Sequence, residues 1–460
     1  MALIFFLASD QTFKQKQAMR TDMIVARVLA DCKGFMHQAR WRRLVDLCSS
    51  ALNGQALALT QLALGSGSKT TLRHRVKAVD RLLGSPAFSA EHLDIYRTLA
   101  ARWLTGVSPL LIVVDWSSLS ADMRWHWLRA SVVVEGRSIT LYEEVHPRAH
   151  LAAYGVHQRF LERLTCVLPA QRSAPIILTD AGFRGPWFAL IKAQGWQWVG
   201  RIRNRDFVCH VKSTPPRAVG GAIGVAVGVA VGGVECMECF APAPDAKSSR
   251  WFPAKSLYLG ATVLSEDLGL FDATRNKPNR CRLVRVKRLP KARKRRYASG
   301  KVHVNSNSKK QSAAAREPWL LSCSLGLSHL SAETIVSLYA RRMSIEQSFR
   351  DTKNERLGQG LTRSMSHGQR RLEALLLIGH IAAIAKRLIG EAAKAQQLEL
   401  ELISRKQTTH HQRAEISVMT LATRVIANPP LMQRIGNPLD YLHRLRAQAI
   451  NAFNAQHLTQ

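Results

Sequence analysis

Two short runs constrain the fold more than anything else in the chain. Leu110-Leu111-Ile112-Val113-Val114 is apolar at every position and ends at Asp115, and Pro175-Ile176-Ile177-Leu178-Thr179 ends in the same way at Asp180. A continuous apolar run of this length bounded by polar residues is a buried strand. Each aspartate stands where a strand gives way to polar residues. In an open α/β sheet, that carboxyl edge is where ligands and catalytic groups gather. Either acid alone says little, because an Asp after a strand is common.

The residues around these runs extend the pattern. Ala130 to Glu135 and Ser138 to Val145 flank Gly136-Arg137, the signature of a hairpin. A helical stretch near His157 to Val167 precedes the strand ending at Asp180; a helix near Pro186 to Gln194 and a strand from Trp196 to Ile202 follow. Strand, hairpin, helix, strand, helix, strand predicts an α/β fold with mixed strand directions.

Residues 24–105 read as helical. Thr60 to Leu64 forms a short helix capped by Thr60, Gly65-Ser66-Gly67-Ser68 turns the chain, and a second helix carries Leu72, Val76, Val79 and Leu83 on one face. Its other positions hold Lys69, Arg73, Arg75, Lys77 and Arg81. The arrangement resembles a helix-turn-helix with Arg73 and Lys77 placed for a major groove, although a solvated basic helix has the same pattern.

Residues 205–318 interrupt the α/β order. Gly220 to Gly233 is a Gly-Val-Ala repeat, too glycine-rich for a firm helix. Between Arg275 and Lys310 stand fifteen Lys or Arg and no acid, which predicts either a disordered basic loop or a strand pair lying on phosphate. Regular patterning returns at Trp319-Leu320-Leu321. One helix is expected from Ser331 to about Lys353 and another from Arg370 to Ala395, with a helical C-terminal stretch beyond.

Charge selects the partner. Sixty-six Lys and Arg against 32 Asp and Glu give a formal +34, an excess that repels itself unless a polyanion neutralises it. Nucleic acid does so by releasing condensed counterions. No membrane association is expected: the opening apolar run is short and lacks a basic flank, and Leu372 to Ala385 is too short to span about 30 Å of hydrocarbon and contains Glu373 and His380. The eight cysteines are scattered, so reduced thiols and a cytoplasmic, nucleoid-associated protein are expected. Cys236-x2-Cys239, with Cys209-His210 upstream, lacks the second half of a zinc site; His410-His411 reads as a surface pair, and no glycine-rich nucleotide loop is present.

The third acid comes from the 331–353 helix. Tyr339, Arg342, Glu346 and Lys353 fall at i, i+3, i+7 and i+14, within roughly 60° of arc at about 100° per residue. Ile335, Leu338, Ile345 and Phe349 form the neighbouring apolar stripe that packs on the sheet. Three carboxylates converging on one edge suit two magnesium ions, which prefer hard oxygen ligands and can serve an attacking and a leaving oxygen at once. Arg342 and Lys353 would then hold nearby phosphates.

Here the chain resembles a known family. Tyr-x2-Arg-x3-Glu-x6-Lys over 339–353 is similar to the signature of the bacterial insertion-sequence transposases of the DDE type called the IS-four family. Val-Asp-Trp-Ser at 114–117, Leu-Arg-Ala-Ser-Val at 128–132, Leu-Tyr-Glu at 141–143, Thr-Asp-Ala-Gly-Phe at 179–183 and Arg-Leu-Leu-Gly at 81–84 resemble its other motifs. The likeness covers roughly residues 40–390 and is greatest to the subgroup flanking a composite tetracycline-resistance transposon.

The resemblance implies an α/β, ribonuclease-H-like catalytic core interrupted by a β-rich insertion, with helical N- and C-terminal domains. It divides the chain into a helical DNA-binding domain (1–105), the first part of the core (106–204), the basic insertion (205–318), the second part with the Glu helix (319–367) and a helical C-terminal region (368–460). It implies cut-and-paste transposition by metal-dependent nicking, hairpin formation and resolution, and 3′-end transfer. Asp115, Asp180 and Glu346 would hold two Mg2+, with Mn2+ able to substitute. Tyr339, Arg342 and Lys353 would contact phosphate, and Trp319 would stack a flipped base. The partners implied are double-stranded DNA, as terminal inverted repeats and target, and a second copy of the chain in a synaptic complex. The Gly-Val-Ala repeat departs from the family pattern. So do the first twenty or so residues, which suggests translation from Met19 or Met23. A decayed copy that only binds element ends, or a ribonuclease-H-type nuclease, are the alternatives.

Overall fold

The two all-apolar runs become neighbouring parallel strands. In the computed structural model, which describes residues 21–54, 56–119, 122–203, 206–211, 250–289, 316–354, 358–402 and 416–454, β1 (Leu111–Ser118) lies beside β4 (Ile176–Thr179), with Val113 level with Leu178. Every residue from Leu110 to Val114 is buried. The chain divides into two compact units, Met1–Gly200 with Thr334–Gln460, and Arg201–Glu333.

In the first unit, β2 (Trp125–Val134) and β3 (Arg137–Pro147) form the expected hairpin. Gly136 turns it at φ +68°, a conformation open to glycine without a Cβ penalty. Ser131 pairs with Thr140 but Ala130 pairs with Tyr142, so Leu141 is an extra residue that shifts the register of everything beyond it. β2 runs antiparallel to β1, and β5 (Gln197–Ile202) is parallel to β4. The strand order is β3-β2-β1-β4-β5, three antiparallel strands followed by two parallel additions.

The N-terminal helices are α1 (Gln38–Gly54), α2 (Leu59–Leu64), α3 (Leu72–Leu83) and α4 (Pro86–Leu104). Two expectations need correction here. Thr60 does not cap α2, which begins at Leu59 after Ala58 with no side-chain cap. The buried face of α3 is Val79, Leu82 and Leu83, while Leu72 is exposed and Val76 half-buried; only the C-terminal half of the helix is packed. The turn between α2 and α3 is held from α1, where Asp46 accepts from Ser66 Oγ at 2.5 Å and from the Gly67 N–H at 2.9 Å. Thr71 accepts from the His74 N–H and caps α3.

Helices α5 (Tyr154–Val167) and α6 (Gly185–Ala193) connect the parallel strands. The single helix expected over 331–353 is two, α7 (Ala332–Ala340) and α8 (Met343–Lys353). The N–H groups of Arg341 and Arg342 donate to Leu338 and Tyr339, three residues back. That tight turn separates Tyr339 from the helix that carries Glu346 and Lys353, with Arg342 at its N-cap. The apolar stripe stands as expected, with Ile335, Leu338, Ile345 and Phe349 all buried. Next, α9 (Gln369–Ala395) is buried at nearly every position from Leu372 to Ala393, as a core helix must be. Smaller helices complete the C-terminal part: α10 (Glu399–Leu402), α11 (Val418–Ile426), α12 (Pro429–Arg434) and α13 (Leu442–Asn454). No helix among the described residues is long and apolar enough to cross a membrane.

The second unit is antiparallel. Its strands β6 (Phe207–His210), β7 (Phe252–Pro253), β8 (Glu266–Ala273), β9 (Asn279–Val286) and β10 (Trp319–Cys323) lie in the order β10-β9-β8-β6-β7. The first half of the basic block is therefore strand, and its arginines are committed within the protein. Arg280 pairs with Asp272 at 3.1 Å and Arg282 with Asp267 at 2.7 Å, while Arg285 pairs with Glu266. Of the two readings of the block, its described part is the strand pair, and acids on the neighbouring strand hold these three arginines. Residues 290–310, the Gly-Val-Ala repeat, Cys236 and Cys239, Met19, and His410-His411 lie outside the described residues.

Candidate functional site

One level of the sheet gathers four charged side chains. Continuing the register of Val113 with Leu178 by two residues places Asp115 beside Asp180, just past the end of β4. On the other side Asp115 pairs with Arg129 of β2, and Arg129 with Glu143 of β3. Paired residues share a face of the sheet. Asp180, Asp115, Arg129 and Glu143 thus form a row across four adjacent strands, drawn from sequence positions far apart.

Helix α8 supplies the third acid. Arg342, immediately before its first turn, reaches Asp115 Oδ2 at 3.2 Å and Glu346 Oε1 at 2.7 Å. The guanidinium thus links the strand acid to the helix acid. The Asp115 carboxyl is pushed up to about 7, first by burial and then by repulsion from Asp180, with Glu346 adding to it; Arg342 and the Trp116 N–H, which donates to Asp115 Oδ1 at 2.8 Å, pull the other way. Asp115, Asp180 and Glu346 therefore feel one another, and a single arginine does not compensate them.

The remaining basic residues of the signature separate. Lys353 points back to β1, where its Nζ donates to Ser117 Oγ at 2.8 Å, and it lies 5.7 Å from the Trp127 ring centre. Burial, with Arg129 nearby, lowers the Lys353 ammonium pKa. Tyr339 is buried in α7 and its charge environment is shared with Arg342. Trp319 belongs to the other unit, at the head of β10, half-buried with the Arg288 guanidinium 5.0 Å above its ring. Arg73 and Lys77 are exposed, one turn apart on α3.

Several residues at this site carried no role in the sequence. The Asp180 carboxylate accepts from the Gly182 N–H at 2.7 Å, and a Cβ at Gly182 would stand 2.9 Å from Asp180 Oδ1. Thr-Asp-Ala-Gly-Phe contains that glycine because the acid folds back over it. Trp116 donates its indole N–H to His157 Nε2 at 3.1 Å, and His157 stacks on Phe183 and meets Trp187 edge-on. Burial lowers the His157 pKa to about 4, with His146 contributing, so the ring is a neutral acceptor that fixes the residue next to Asp115. Arg129 and Glu143 form a buried ion pair of 2.7 Å. Charged residues inside otherwise apolar strands were the signal available for them.

The donor set suits a hard divalent cation, since it consists of carboxylate oxygens whose mutual repulsion such an ion would relieve. As the side chains stand, no three His, Cys, Asp or Glu among the described residues are drawn together closely enough to enclose one; Arg342 holds two of the acids instead.

Strand β1 does not stop at Asp115 as the sequence suggested but continues to Ser118; acids on adjacent strands, beside Arg and Lys on a strongly basic chain, are equipment for chemistry on phosphate esters. Residues 108–385 match the family described as the transposase DDE domain. That is more than half of the chain, which belongs to this family: it is a DDE transposase, an enzyme that cuts and joins DNA in the movement of a transposable element. Enzymes of this family generally use divalent metal ions. No curated protein matches the chain.

Proposed function

We propose that this transposase acts by cut-and-paste, with Asp115, Asp180 and Glu346 as the acids that hold two Mg2+ at a ribonuclease-H-like core, in the manner of the IS-four family. One observation carries the reading: the β1–β4 register makes Asp115, within β1, the neighbour of Asp180, just past the end of β4, and Arg342 ties Glu346 to the first of them. The strand order β3-β2-β1-β4-β5 supports the ribonuclease-H-like assignment. The ions, when bound, supply Lewis-acid stabilisation of the attacking and leaving oxygens.

The chain's own residues do the positioning. Arg342 has a fork of donors that can pass from carboxylate to phosphate, and Lys353 stands on the same edge of α8 as Glu346. Water first opens a phosphodiester at the element end and leaves a 3′-hydroxyl. That hydroxyl attacks the opposite strand to close a hairpin, water reopens it, and the freed 3′-end joins target DNA; each step forms one P–O bond and breaks another. Arg73 and Lys77 on α3 would contact the terminal repeats, Tyr339 would support the phosphate contacts, and Trp319 would receive a flipped base. Two copies would act together on paired ends at the nucleoid.

A labelled duplex of the element end tests the reading. Wild-type protein with Mg2+ should yield a nick and then a hairpin. Binding without cleavage would favour an end-binding protein, and cleavage of an RNA–DNA hybrid in preference to the end would favour a ribonuclease-H-type nuclease.

A further inference from the structure

The row of charges contains a pair that the proposed chemistry does not use. Arg129 is 4% exposed and Glu143 equally so. Arg129 Nε donates to Glu143 Oε2 at 2.7 Å, and its Nη1 donates to Ser348 Oγ at 2.7 Å, with Thr352 Oγ1 at 3.4 Å from Nη2. The Tyr96 hydroxyl donates to the other Glu143 oxygen at 3.3 Å. The guanidinium also lies beside two rings, 4.6 Å from Trp127 and 5.2 Å from Phe349.

Ser348 and Thr352 are one turn apart on α8, and Phe349 lies between them. Glu346 and Lys353 sit on the adjoining edge of the same helix, seven residues apart and so within roughly 20° of each other. Whatever holds Ser348 and Thr352 sets the height and rotation of Glu346 over Asp115. Arg129 is also the direct cross-strand neighbour of Asp115, so an unrestrained guanidinium there would compete for that acid. Glu143 prevents this by claiming the Nε side of the fork. It stands opposite Arg129 because of the extra residue Leu141; without that bulge the partner position would be Tyr142.

We propose that Arg129 and Glu143 are a positioning pair: Glu143 turns the Arg129 guanidinium away from Asp115 and onto Ser348 and Thr352, which fixes α8 where Glu346 can join Asp115 and Asp180. The proposal rests on the reading of those three acids as the metal-holding set.

The test uses the full chain and three variants. Ser348→Ala/Thr352→Val removes the grip on α8 and leaves the ion pair intact; Arg129→Lys keeps the charge and loses the fork; Glu346→Gln is the control for the site itself. Amide hydrogen exchange without metal should be at least tenfold faster across 343–353 in the first two variants, with the β2 and β3 amides unchanged. Nicking of the labelled element end should need about 10–100-fold more MnCl2, the size expected when partners of metal-holding residues are lost, with end binding within twofold of wild type. Unchanged exchange in α8 and an unchanged manganese midpoint, with Glu346→Gln inactive, would overturn the pair's role. Faster exchange spread evenly through the first unit would overturn it too, as a purely structural effect. Full activity of Glu346→Gln would instead sink the reading of the acids. If Arg129→Lys does not fold, the Ser348→Ala/Thr352→Val protein decides.

Discussion

Replacing Asp115 by Asn should stabilise the metal-free protein while abolishing cleavage. The carboxyl is held at about 7 against 3.8 for a free aspartate, by burial and by Asp180. That rise corresponds to about 4 kcal/mol of preference for the uncharged form. That figure already includes the opposing pull of Arg342, 3.2 Å from the carboxylate. The gain at pH 8 is therefore about 4 kcal/mol, or a rise in Tm of about 6 °C for a unit of this size. The effect has a pH signature. A raised pKa in the folded state gives stability that is complete below 3.8 and is lost as pH rises through about 7. Asn lacks that loss, so its advantage should be roughly half as large at pH 5 as at pH 8. Thermal unfolding in EDTA at both pH values measures it. An Asn variant less stable than wild type at pH 8, or an advantage equal at both, would refute the crowding of acids at this site.

Other outcomes follow from the same geometry. Asp180→Asn and Glu346→Gln should each slow nicking at least 100-fold while end binding stays within about twofold, because losing one member of a cooperating set removes most of its effect; gel-shift and cleavage assays on one duplex compare the two. Arg73→Ala/Lys77→Ala should weaken binding to any duplex and reduce the slope of log affinity against log salt by about 2; an unchanged slope would show that α3 does not meet DNA. His92 and His380 are lowered by burial to about 4 and about 3, so the stability they contribute is present above 6.5 and lost as pH falls through those values. Urea unfolding at pH 5 should be easier than at pH 7 by about 2 kcal/mol per histidine, and His380→Gln should flatten that dependence. Trp319→Ala should spare the first nick and slow the hairpin step; equal loss of nicking and Tm would mark the ring as packing for Arg288.

Much of the sheet was legible because burial on both faces leaves an unmistakable trace: an apolar run such as Leu110 to Val114 has few other uses. The hairpin about Gly136-Arg137 was legible from its turn. The Leu141 bulge was not, because an extra residue in a strand changes register without changing composition. That hid the pairing of Arg129 with Glu143. The break between Tyr339 and Arg342 was hidden for a similar reason, since neither Pro nor Gly marks it and the apolar stripe continues through. The pairing of Arg280, Arg282 and Arg285 was not legible because their partners, Asp272, Asp267 and Glu266, lie on a strand whose pattern is weak. A count of cations in a window misses anions that arrive by pairing. The three acids, by contrast, were named from the sequence as converging on one edge, and what the register adds is that Asp115 stands beside Asp180.

The distance along the chain between Asp115 and Glu346 has a consequence in time. The β1–β3 hairpin region, with Arg129 already opposite Glu143, can form from local sequence as it is made. The helix that docks on it comes more than two hundred residues later, beyond the whole of the second unit. At about 5–20 residues per second, synthesis of that interval takes on the order of 10–50 s. During that time the growing polypeptide, already strongly basic and still tethered to the ribosome, holds two of its acids and lacks the third. On the proposed reading of the three acids, the chain cannot cut DNA until most of it has been made, a delay set by the order of its residues.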